Sequence, residues 1–161
     1  MSKVILICGK ICVGKSTYAE KLREEGNAVL LSVDEIMLAV FGQYAGERHD
    51  EYVRNVQQYI FDKSLEILEA GADVLLDCGF WTKAHRDYSK EFYKQRGIPC
   101  ELHLIDISDG EWRRRIEKRN GEVSAGDKNA YFVDENLLKK VEGGYEPPAP
   151  NEVDVWVKQA Q

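Results

Sequence analysis

Long apolar runs are missing from this chain of 161 residues. The first, Val4-Ile5-Leu6-Ile7-Cys8, stops after five residues at Gly9. No stretch reaches the length that crosses a bilayer, and the N-terminus does not read as a signal peptide. Positive charge is also short: 22 Lys and Arg face 28 Asp and Glu, for a net charge of −6. That balance argues against the broad electrostatic footprint that holds duplex nucleic acid, while leaving room for a short single strand in a local basic groove. Cysteine is sparse. Cys8, Cys12, Cys78 and Cys100 show no C-x-x-C or metal-type spacing. Cys8 and Cys78 read as small buried hydrophobes and Cys12 as loop filler. These absences predict a reduced, cytoplasmic protein without a membrane partner. The composition, 43% hydrophobic and 31% charged, is that of a globular domain. A single domain over 1–161 is expected, with the oligomeric state left open.

Directly behind the first apolar run lies Gly9-Lys10-Ile11-Cys12-Val13-Gly14-Lys15-Ser16-Thr17, which fits G-x-x-x-x-G-K-[ST] without a mismatch. Its setting is the one the motif requires: a buried strand before it and a helical pattern after it. The glycines let the backbone curl and aim successive N–H groups inward at a phosphate. The following helix adds the positive end of its dipole. Lys15 can then reach the β- and γ-phosphates, and the Ser16 hydroxyl can ligate Mg²⁺. All nine residues form the expected nucleotide-binding set.

Further strands are read at Ala28–Ser32, Val74–Asp77, Glu101–Ile107 and Val153–Val157. Helical patterns fall between them, including a long one near 51–69 and one from Asp109 to about Arg119 behind a Ser108-x-x-Glu111 capping box. Residues 120–127 read as a flexible polar segment. The alternation predicts an α/β fold: a parallel sheet with helices on both faces and ligands beyond the carboxyl ends of the strands.

Two acids end up at that edge. Asp34 follows the second strand, where it can serve as general base for an acceptor hydroxyl or merely cap a helix. Asp77 ends an apolar strand, as a Walker-B acid acting on Mg²⁺ does. The most basic stretch, Glu111–Arg119, sets Arg115 and Arg119 on one stripe and reads as a lid, about 109–130, that brings arginines onto the transferring phosphoryl. Tyr44, Arg48, His49 and Tyr52, and beyond the third strand Trp81, His85 and Arg86, are candidates for an acceptor pocket. No N-K-x-D segment occurs and Asp77-Cys78-Gly79 lacks D-x-x-G spacing, which speaks against a guanine-specific switch.

This set resembles the small P-loop kinases typified by zeta toxin, chloramphenicol phosphotransferase and polynucleotide 5′-kinase. The resemblance rests on Gly9–Thr17, Asp34, Val74-Leu75-Leu76-Asp77 with Gly79-Phe80 and Arg86, Arg115-x-x-x-Arg119-Asn120, and Glu146-Pro147-Pro148 to Glu152. It implies a three-layer P-loop fold with five parallel strands in the order 2-3-1-4-5. ATP is then the donor, Asp34 the base, Lys15, Arg115 and Arg119 the catalytic cations, and 145–150 the neighbour of the adenine. Met37 stands where polynucleotide kinases carry an arginine. The expected activity is ATP- and Mg²⁺-dependent phosphoryl transfer to a small-molecule hydroxyl. A regulatory ATPase or switch and a polynucleotide 5′-hydroxyl kinase are the alternatives.

Overall fold

Every residue of β1 (Val4–Cys8) is buried, because the strand lies mid-sheet between two cores. Val4, Leu6 and Cys8 point into one core and Ile5 and Ile7 into the other, which explains an apolar run without alternation. The computed structural model describes residues 1–158. Its remaining strands are β2 (Ala28–Ser32), β3 (Asp73–Gly79), β4 (Cys100–Asp106) and β5 (Val155–Lys158). All pairings are parallel, in the order β2-β3-β1-β4-β5. The expected 2-3-1-4-5 order is correct.

The helices are α1 (Lys15–Glu25), α2 (Val33–Phe41), α3 (His49–Glu69), α4 (Lys83–Lys94), α5 (Asp109–Ser124) and α6 (Glu135–Gly144). Val33 and Met37 of α2, Ile60 and Phe61 of α3 and Tyr93 of α4 fill the first core. Ala19 of α1, Trp112 and Ile116 of α5 and Val141 of α6 fill the second. Helices therefore cover both faces of the sheet.

Two local readings change. Helix α5 runs to Ser124 rather than ending near Arg119, so most of the expected flexible segment is helical. The Asn120 side chain causes this: its amide donates to Val133 O at 2.8 Å and its carbonyl accepts from Val133 N at 2.7 Å. Bound outward in this way, it does not compete for the helix backbone. Strand β3 also passes Asp77 and ends at Gly79. Leu6 pairs with Leu76 but Cys8 with Gly79, so β3 carries a bulge at Asp77–Cys78.

Candidate active site

The phosphate loop has the geometry its glycines imply. Gly14 adopts φ 103°, a left-handed conformation, as it leads into α1. At Gly9 a Cβ would lie 2.7 Å from Val13 Cγ2 and 3.1 Å from Ile105 O, so close packing forbids a side chain. Lys15 Nζ donates to Gly9 O at 3.1 Å and Lys10 O at 2.9 Å, which puts the ammonium against the loop backbone. Helix α5 braces the loop from outside: Trp112 Nε1 donates to Ile11 O at 2.7 Å and Arg115 Nη1 to Val13 O at 2.8 Å. Lys10 turns away from the loop interior, its Nζ 3.9 Å above the Trp112 ring.

Two cavities meet at this loop. The smaller, about 270 Å³, is lined by Ile11, Cys12, Gly14, Lys15, Ser16 and Thr17 together with Asp34, Asp77, Arg115 and Arg119. The larger, about 460 Å³, extends toward α3 and α6 and shares Ile11, Lys15, Asp34, Asp77 and Arg119 with the first. Of the expected site residues, Gly9, Lys10 and Val13 line neither cavity. Arg115 faces only the smaller one, bound to Val13 O and to Glu111 at 2.8 Å, whereas Arg119 faces both.

Asp34 does not cap its helix. Ser32 does, its hydroxyl accepting from Glu35 N at 3.3 Å, which leaves the Asp34 side chain in the first turn of α2 on the shared wall. The bulge in β3 brings three successive residues, Asp77, Cys78 and Gly79, onto the larger cavity, where a regular strand would alternate faces. Burial pushes the Asp77 carboxyl above its usual pKa; Lys15 opposes this and the charge of Asp34 adds to it. Burial likewise raises the thiol of Cys12 despite Arg119, Lys15 and Arg115 nearby. The donors on the shared wall suit Mg²⁺, a hard cation that binds one or two carboxylates and otherwise takes phosphate and water oxygens. Among the described residues no cluster of His, Cys, Asp or Glu could hold a metal by itself.

The acceptor candidates divide. His49, Trp81 and His85 line the larger cavity; Tyr44, Arg48, Tyr52 and Arg86 do not. Burial, with the Arg86 charge, lowers the pKa of His85 and favours its neutral ring. Arg86 is 1% exposed and ties loops together: it donates to Glu152 at 2.9 Å and to the carbonyls of Phe80, Trp81 and Glu146. Segment 145–150, which the resemblance assigned to the adenine, lines neither cavity; Glu146 N donates to Trp81 O at 2.7 Å. Sequence reading missed Tyr131 and Phe132, which line the larger cavity from the segment between α5 and α6. The available signal was an apolar run, Tyr131-Phe132-Val133, within polar surroundings.

The parallel order, the phosphate loop and the acid-bearing strand ends define the class: a small P-loop kinase fold with a nucleotide site. The chain belongs to AAA_33, an AAA domain family whose model matches residues 4–148. Among solved structures it is similar to a sugar kinase from Janibacter sp. HTCC2649, with 17% identity and a TM-score of 0.67 over 98% of this chain and 86% of that one. A gluconokinase from Sinorhizobium meliloti 1021 aligns at 18% identity and TM-score 0.65, covering 99% of this chain and 83% of its own. Kti12 from Chaetomium thermophilum, solved with ADP-AlF3, aligns at 16% identity and TM-score 0.68, covering 98% and 88%. No curated protein matches the sequence.

Proposed function

We propose that the protein transfers the γ-phosphoryl of ATP to a hydroxyl of a small molecule, in one domain whose lid spans about 109–130. One observation carries this reading: the phosphate-loop cavity and a second, larger cavity share a wall made of Lys15, Asp34, Asp77 and Arg119. A donor on one side and an acceptor on the other would meet there. An ATPase switch needs no second cavity behind its phosphates.

In this mechanism the Gly9–Thr17 loop cradles the triphosphate, and Lys15 neutralises the β- and γ-phosphates. Ser16 and Asp77 would hold Mg²⁺, which supplies charge neutralisation and phosphate orientation. Asp34 accepts the proton of the acceptor hydroxyl as its oxygen bonds to the γ-phosphorus and the bond to the bridging oxygen breaks, releasing ADP. Arg119, which faces both cavities, balances charge on the transferring group. Arg115 steadies the loop through Val13 O while facing the donor cavity.

The test is a γ-phosphoryl transfer screen across hydroxyl metabolites and antibiotics. Lys15→Ala is expected to abolish ATP binding and turnover; undiminished ATP use in that variant would overturn the assignment. Asp34→Asn should lower kcat by about 10²–10⁴, the range for a general base, with nucleotide affinity retained. A loss of only a few fold would remove Asp34 from catalysis.

A further inference from the structure

Trp81 reaches the larger cavity through a forced turn. Gly79 (φ 77°) and Phe80 (φ 52°) both lie in the left-handed region, directly after the bulge in β3. Glycine takes that conformation freely, whereas a phenylalanine is strained there and persists only where its surroundings hold it. Phe80 is fully buried and held. Its carbonyl accepts from Arg86 Nη1 at 3.0 Å and from Cys8 Sγ at 3.4 Å. The next carbonyl, Trp81 O, accepts from Arg86 Nη1 at 3.2 Å and from Glu146 N at 2.7 Å. The turn folds the indole back over Gly79, where a Cβ would lie 2.8 Å from Trp81 Nε1. A Cβ on Gly144, at the end of α6, would lie 3.8 Å from Cε3 on the six-membered ring. The indole is thus laid from the tip of β3 to α6, on a stretch of wall to which Gly79 and Trp81 both contribute.

The ring packs against the second core yet stays half-buried. Trp112 uses its indole N–H within the fold, on Ile11 O. Trp81 Nε1 bonds to no described residue. Among those residues the buried side-chain oxygen or nitrogen without a partner is Tyr131 Oη, so the Trp81 N–H is not sealed and keeps access to solvent. The same holds for the ring nitrogens of His85, set on the first turn of α4 against Phe80 at 4.9 Å between centroids, and for the Gln57 amide on α3. Both residues line the same cavity. A neutral imidazole and an amide each present a donor and an acceptor, and an indole N–H only donates. Hydroxyl groups, which do both, match all three. A carboxylate or phosphate accepts only and would leave the acceptor sides of His85 and Gln57 unmatched. The indole also offers a broad flat apolar face. A ring lies on such a face as it stands, whereas an open chain must first freeze its torsions.

We propose that Trp81 is the platform of the acceptor subsite, and that the acceptor is an uncharged polyhydroxylated ring that lays its C–H face on the indole while one hydroxyl meets Asp34. This rests on the phosphotransferase reading. The probes are D-ribose, D-glucose, D-galactose and D-mannose, each beside its own alditol, which has the same carbons and no ring, supplied with ATP and Mg²⁺. The wild type should phosphorylate at least one sugar and prefer it to its alditol by about tenfold in kcat/KM. Trp81→Phe keeps an aromatic ring and deletes the N–H, so kcat/KM for that sugar should fall about tenfold, the yield of one uncharged hydrogen bond, while the Kd for ATP stays the same. Trp81→Ala should bring sugar and alditol level. A ring preference that survives Trp81→Ala, or an alditol outrunning its sugar, would overturn the proposal. Binding is read separately from tryptophan fluorescence with a non-hydrolysable ATP analogue: the sugar should shift the emission of the wild type and leave that of Trp81→Phe, which retains Trp112 and Trp156, unchanged. If the sugars shift that emission but none is phosphorylated, the platform stands and the phosphotransferase reading falls. If they neither bind nor react while another compound in the transfer screen is phosphorylated, the platform falls alone; if no compound binds or reacts, both fall.

Discussion

Asp77 shows how a single carboxylate is set against folding stability. Burial and the charge of Asp34 raise the Asp77 pKa, so between the ordinary and the raised value the folded chain binds more protons here than the unfolded chain does. Stability from this group is therefore greatest at low pH and declines as pH rises above the ordinary carboxylate value of about 4. Asp77→Asn should accordingly melt higher than the wild type at neutral pH, with the gap closing toward acid, while its Mg²⁺-dependent ATP binding weakens. Melting curves from acid to neutral pH check the sign, and a less stable variant at neutral pH would refute it. The acid itself was readable at the end of an apolar run. The bulge beneath it was not, because it arises from a register shift against Cys8, a residue remote in sequence.

At the level of elements, α5 is the part whose reading changed most. Asn120-Gly121 has the composition of a turn, yet the helix continues to Ser124 because the Asn120 amide is occupied by the backbone of Val133. Asn120→Ala removes both bonds and leaves two backbone groups unpaired, a loss of about 1–3 kcal/mol for each group that stays buried. The expected outcome is lower stability and faster amide exchange across 130–133 and the last turn of α5. Exchange that quickens only in the helix would mean that 130–133 is held by Gln43 alone, through Ala130 O and Phe132 N. Arg119 is the next residue along, so this segment and the cation are mechanically joined. Trp112 and Ile116 are both buried, since i,i+4 spacing marks a helix face whatever lies opposite.

Across the whole molecule, Arg86 links parts that the sheet does not. Its guanidinium joins the β3–α4 corner to the 145–150 segment and to Glu152, just ahead of β5. Held by that guanidinium, the Glu152 carboxyl lies below its usual pKa, so its contribution to stability is present at neutral pH and lost as pH falls through the lowered value. Arg86→Ala should cost about 3–5 kcal/mol, because it leaves the mostly buried Glu152 carboxylate without its cation and takes a charged donor from three carbonyls. Denaturant titration of Arg86→Ala, Glu152→Ala and the double variant should give a double loss well short of the sum. Additive losses would show that the pair does not act as a unit. From sequence, Arg86 was a candidate for the acceptor pocket. Its burial depends on loops about sixty residues away, for which no local pattern exists.

What the sequence determined by itself was the part written in short spacings. The phosphate loop is nine consecutive residues, and the strand with no polar alternation already implied a sheet covered on both faces. The tertiary structure alone decided which side chains share a cavity. Only the β2-β3-β1 order puts Asp34 and Asp77 on one wall with Lys15, and the Gln43 and Asn120 side chains fix the backbone on either side of Tyr131, which lines the larger cavity. Periodicity reports which face of an element is buried. It carries no information about side-chain-to-backbone bonds between distant segments, and those bonds shape the wall of the larger cavity.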